Sequence, residues 1–173
     1  MSTALPQVPK RPGPRVRQSK PRPLPHNSLP EHLLPNAIRT ATGLEEVRAI
    51  ALNSNQVLIS SAYRCEALEK AICWSSFNTW CRLRNLVPND TNWAKYFSTK
   101  DHPKAQAADI LCPTFGPPVR VMAAIAKSGI VYDQLILEFP SSKSGGWVHV
   151  SFRDDPRKQA LVIDSDGTRN YVA

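Results

Sequence analysis

The sequence predicts an α+β fold: a small antiparallel sheet flanked by helices, preceded by an extended Pro-rich arm. Three observations lead to it. Short apolar runs at 57–60, 108–111, 130–139 and 147–152 are bounded by polar, Gly or Pro residues, as strands are. Between and before them, apolar residues recur at helical spacing. Residues 1–36 hold nine of the sixteen prolines. Proline fixes φ and removes a backbone donor, so that stretch is expected to be extended and polyproline-like.

The chain of 173 residues thus divides into an arm, 1–36, and one folded domain, 37–173, long enough to bury its own core. Charge follows the same division. Lys10, Arg11, Arg15, Arg17, Lys20 and Arg22 lie in the first thirty residues with no acid among them, so the arm supplies most of the formal charge of +8. Such an arm is either a solvated tail or a tether for a polyanion or an acidic protein surface. Its start has no apolar signal-peptide core, and no apolar run reaches the roughly 18 residues of a membrane span. Cys65, Cys73, Cys81 and Cys112 show no Cys-x-x-Cys spacing and are expected to be reduced.

In chain order, Thr42 is expected to cap a first helix, with Glu45 three residues on as a capping box. Residues 57–60 form a continuous apolar run and read as a buried strand, with Arg64 just past its end. A long helix follows over 65–85, its inner face set by Leu68, Ile72 and Cys73, with Trp74, Phe77 and Trp80 as packing residues. Residues 89–101 are polar with interleaved aromatics, and are expected either to wall a cleft or to meet a partner. Pro117-Pro118 opens another helix, and Gly129 closes it. The strands at 130–139 and 147–152 make an antiparallel hairpin around a polar loop, 140–146. A last strand, 159–164, turns through 164–167 into the C-terminal segment.

Beyond residue 40 the chain has only two histidines, His102 and His149, each beside an apolar run. An imidazole placed there is costly without a partner. With Asp109, which alternates with apolar neighbours on its strand, they are the right ligand set for a catalytic zinc ion with one position left for water. If the hairpin loop is symmetric, Glu138 lies opposite His149 and faces the metal, whereas Asp133 has the other parity and faces away. His26 and His32 belong to the arm and take no role.

The order Tyr63-Arg64, then His102-x6-Asp109, then Asp133-Gln-Leu-Ile-x-Glu138, then Trp147-Val-His149-Val-Ser resembles one family over residues 55–163. These are the zinc peptidases that cut peptidoglycan stem peptides: the D-alanyl-D-alanine carboxypeptidases and dipeptidases and the L-alanyl-D-glutamate endolysins of bacteriophages. The resemblance implies the fold shared by these peptidases and hedgehog-type domains, and a Zn2+ ion on His102, Asp109 and His149. It also implies that Arg64 binds substrate and stabilises charge at the scissile carbonyl, with Tyr63 and Trp147 contacting substrate. Read without the resemblance, Arg64 is an ion-pair partner of Glu66 or Glu69. The family pattern His-x-x-Gly-x-Ala-x-Asp is broken at Ala105, where an alanine disfavours a positive φ.

Many relatives carry the catalytic acid three residues before the last His, but that position here is Gly146. Glu138 remains as the general base, or as a support that fixes the tautomer of His149. The implied activity is hydrolysis of stem peptides by a phage endolysin or virion-associated lysin. Such a protein is made in the host cytoplasm and acts on the cell wall, with carriage in a virion as one route and the arm docking on virion proteins or a polyanion. The alternative is a virion structural or nucleic-acid-associated protein carrying a degenerate, non-catalytic peptidase domain.

Overall fold

Helix α1, Leu34–Glu46, starts nine residues earlier than the Thr42 cap predicts, with Pro35 in its first turn. Proline is tolerated there because a first-turn N–H has no intrahelical partner anyway. Thr42 is therefore mid-helix, and Glu45 reaches forward to Arg48 Nε at 3.0 and 2.9 Å rather than back to a cap. The structure, a computed structural model, describes residues 26–142 and 145–172. Most of the predicted arm, 1–25, lies outside the described residues, while 31–36 form a 3-10 turn and the start of α1. A π-helical segment, Val47–Ala51, continues α1.

Six strands make one sheet: β1 (Leu58–Ser61), β2 (Ala107–Leu111), β3 (Gln134–Glu138), β4 (Trp147–Ser151), β5 (Gln159–Asp164) and β6 (Gly167–Asn170). Their spatial order is β1-β2-β4-β3-β5-β6. The sheet is mixed, not antiparallel throughout, because β5 runs parallel to β3. Both edges of β4 are taken, by β2 and β3, so the chain passes β3 and enters on its far side. The run at 57–60 is not a buried strand either. As the edge strand β1 it leaves Leu58 and Ile59 44% and 55% exposed.

Alternation along the central strands divides the sheet into two faces. Ala108, Ile110, Leu135, Leu137, Val148 and Val150 point to one side. There they meet Leu44, Val47 and Leu52 from the α1 region and Met122 and Ile125 of α4, Pro118–Lys127. The other face carries Asp109, Ile136, Glu138 and His149, and lines a cleft.

Across that cleft stand α2, Glu66–Arg82, and α3, Asp90–Ser98. Only one stripe of α2 is buried, Glu69, Phe77 and Cys81, and it packs with Trp93 and Tyr96 of α3. The expected inner face is thus displaced: Ile72 is 53% exposed, Trp74 is exposed and Trp80 half-buried. α3 fills the segment 89–101 and is capped by the Asn89 side chain, which accepts from the Asn92 N–H at 2.9 Å. It walls the cleft through Tyr96. None of the described helices is long and apolar enough to cross a membrane, and the four cysteines are free.

Candidate metal centre

His102 opens a 3-10 turn, His102–Lys104, which ends at Ala105 in the left-handed region, φ 55° and ψ 30°. An L-residue there costs about 1–2 kcal/mol, so neighbouring contacts must hold the turn. Thr40 Oγ1 donates to the Ala105 carbonyl at 2.8 Å, and Asn36 Nδ2 to the Lys104 carbonyl at 3.0 Å. Both donors come from α1. Asp101, just before the turn, is bridged to Asp133 by Arg153 and Arg157, tying the loop to the sheet. Asp133 thus faces away from the cleft, as its parity predicts.

Asp109 and His149 are directly paired across β2 and β4. Opposed residues share a face, so the sheet itself brings carboxylate and imidazole together. His149 Nδ1 lies 3.0 Å and His102 Nε2 3.2 Å from Asp109 Oδ1. The two rings are 5.0 Å apart between centroids. Ligand atoms held at about 2.0–2.1 Å around a tetrahedral centre lie about 3.3 Å from one another. All three side chains are buried, and one ligand atom from each falls within 4.8 Å of the others, so the group could hold a metal ion. His102 Nδ1 meets the Ala62 carbonyl at 2.6 Å. A carbonyl only accepts, so Nδ1 carries a proton, and Nε2 is left as the nitrogen that would coordinate a metal. Burial works to raise the Asp109 pKa, but hydrogen bonds from His102 and His149 outweigh it and hold the carboxyl well below its usual range.

Arg64 turns all its edges toward partners. Nη2 pairs with Asp109 Oδ2, Nε donates to Ser61 Oγ at 2.8 Å, and Nη1 lies 3.5 Å from Glu69 Oε2. It therefore grips a predicted ligand as well as lining the cleft. Cys73 donates to Glu69 Oε1 at 3.1 Å, and burial followed by that bond pushes its thiol up to about 12.

Glu138 does not lie opposite His149. The register pairs Glu138 with Trp147 and Ile136 with His149. A symmetric loop over 140–146 pairs Glu138 with Val148 rather than His149, and the observed loop, 139–146, moves the partner one residue further, to Trp147. Glu138 is nevertheless two residues from the partner of His149 and so on the same face. Diagonal neighbours are about 7–8 Å apart, within reach of a long side chain. Glu138 Oε1 accordingly comes to 4.0 Å from His149 Nδ1. Burial raises its pKa above the ordinary carboxylate value, against the lowering charge of His149. No acid can serve from position 146: a Cβ on Gly146, at φ +72°, would meet the Glu138 carbonyl oxygen at 2.0 Å.

The structure brings His102, Asp109, His149, Arg64, Glu138 and Trp147 to one cleft of about 600 Å³. Tyr63 is not among them. It lines a separate apolar cavity between α1 and β1, together with Ala62. Sequence reasoning gave Glu69 a role only as an ion-pair partner, and missed the Ala62 carbonyl and Thr40, whose contacts span 40 and 65 residues. Comparison with protein-family models, with curated proteins and with solved structures finds no match for this chain.

Proposed function

We propose that this chain is a zinc-dependent peptidase that hydrolyses peptide bonds in peptidoglycan stem peptides, as an endolysin or virion-associated lysin of a bacteriophage. The observation that carries this reading is the convergence of His102, Asp109 and His149 on one point of a cleft, with Glu138 beside them. Two imidazoles and one carboxylate suit zinc and leave a fourth position open. The substrate class rests on the motif order from Tyr63-Arg64 to Trp147-Val148-His149, which resembles the stem-peptide peptidases.

A zinc ion held by His102, Asp109 and His149 would lower the pKa of a bound water and polarise a carbonyl. Glu138, beside the His149 ring, is the group placed to hold a proton and would return it to a leaving amine. Its burial favours the neutral form, which brings a carboxylate closer to working pH as a base. Arg64, held against Asp109, keeps the ligand oriented and puts positive charge at the cleft wall. Trp147, in ring contact with Phe139 at 5.6 Å, forms an apolar lip for substrate. The proposed setting is the bacterial cell wall, reached by host lysis or by carriage in a virion.

The basic arm favours a second reading, a virion or nucleic-acid-associated protein whose peptidase domain no longer acts. Ala105 does not support it, because the loop adopts the positive φ that a glycine would take. Digestion of purified muropeptides by the zinc-loaded protein, read by mass spectrometry, separates the two. A new pair of fragments from one stem-peptide bond is expected. A metal-replete protein that leaves every muropeptide intact belongs to the second reading.

A further inference from the structure

The cleft holds a carboxylate that the proposed reaction does not use. Glu69 is 1% exposed, on the buried stripe of α2. Its Oε1 accepts from the Cys73 thiol, but Oε2 has no hydrogen-bond partner. A buried carboxylate oxygen left in that state is costly unless a charge compensates it. The nearest cation is Arg64, whose Nη1 lies 3.5 Å away. Arg64 in turn places Nη2 on Asp109 Oδ2 and Nε on Ser61 Oγ. A guanidinium is planar, so three acceptors around its rim fix its position and its plane.

This arrangement bears directly on the metal centre. Asp109 has two equivalent oxygens. Arg64 occupies Oδ2, and it is Oδ1 that meets both ring nitrogens. We propose that Glu69 is a positioning residue for the metal centre: it anchors Arg64, and through Arg64 it presents Asp109 as a ligand with one oxygen. Without that anchor, the Nη1 edge of Arg64 is free to turn into the cleft, and Asp109 is free to rotate and offer both oxygens.

The proposal rests on the metal-centre reading, so its test begins with the full-length wild-type protein. Zinc affinity is measured by competition with a chromophoric chelator, and the geometry of the site by the visible spectrum of the cobalt(II)-substituted protein. Glu69→Leu fills the volume without an acceptor, while Asp109 still compensates the Arg64 charge. It should weaken zinc binding by about 10–100-fold, as loss of a group behind a ligand does, and shift the cobalt bands. Glu69→Gln still offers Arg64 an oxygen and should recover most of both. Wild-type affinity and an unchanged cobalt spectrum in Glu69→Leu would overturn the proposal. So would equal weakening in both variants with no spectral change, which is what a packing defect produces. Should Glu69→Leu not fold, Arg64→Lys decides: an ammonium lacks the planar fork that sets both carboxylates, so an unaltered cobalt spectrum there also overturns it. A wild-type protein that binds neither metal instead removes the metal-centre reading itself.

Discussion

His102 Nδ1 donates to the carbonyl oxygen of Ala62 at 2.6 Å, which fixes one tautomer of a buried imidazole. Ala62 directly follows the edge strand β1, so a strand with no buried residue contributes a support to the candidate metal centre. The first prediction is spectroscopic. In long-range proton–nitrogen correlation spectra of the zinc-loaded protein, His102 should show a protonated Nδ1 and a metal-shifted Nε2. The opposite assignment would mean that Ala62 does not set the tautomer.

Glu138 yields a prediction with two signs. Glu138→Gln should lower turnover at saturating zinc by about 10²–10⁴-fold, the usual range for a lost general base. Rescue by added zinc would instead make Glu138 a support for His149. The same substitution should leave the metal-free fold equally or more stable at neutral pH. A carboxyl whose folded pKa is raised by burial opposes folding once it ionises, above that folded pKa. The advantage of Gln should vanish in thermal melts taken below the unfolded Glu pKa of about 4.3.

Asp133 should show the opposite dependence. Burial works to raise its pKa, but Arg157 outweighs it and holds the carboxyl at about 2. A depressed carboxylate stabilises the fold above its unfolded pKa, about 3.9, and the contribution is lost as pH falls toward about 2. Asp133→Asn should therefore cost about 2–3 kcal/mol at pH 7, with a penalty that shrinks between pH 4 and pH 2. A penalty independent of pH would place the loss in packing rather than charge.

Much of the metal centre is legible in the sequence because it needs so few facts. Two histidines beyond residue 40, and an aspartate alternating with apolar residues, already name the three side chains that converge and could hold a metal ion. Strand parity puts Glu138 on the right face even though the register assumed for it is wrong, since a shift of two residues preserves the face. The arm boundary misleads for a physical reason: Pro35 looks like a breaker but sits in a first turn, where proline is allowed. Position 63 fails because Tyr63 and Arg64, adjacent in sequence, point to different cavities. Nothing local in the sequence signals that β5 runs parallel to β3, because that depends on which edge is vacant.

Truncation tests where the folded domain begins. Removing 1–25 takes away none of the contacts described for α1, and zinc uptake should be unchanged, while binding to a polyanion should fall and the loss should depend on salt. Removing 1–36 is different. Asn27 is bonded to the Tyr63 carbonyl and the Cys65 N–H, and Asn36 to the Lys104 carbonyl. At about 1 kcal/mol each, their loss should cost about 3 kcal/mol in denaturant unfolding. Equal stability of the two truncations would show that α1 does not brace the His102 turn.

The most direct test is an anomalous-difference map of crystals grown with zinc, recorded above and below the zinc absorption edge. It should show one zinc ion about 2.0–2.1 Å from His102 Nε2 and His149 Nδ1 and about 2.0–2.2 Å from one Asp109 oxygen, with a non-protein ligand in the fourth place. A zinc peak elsewhere, or none at this cluster in crystals whose bulk protein binds zinc, would contradict the account at its centre.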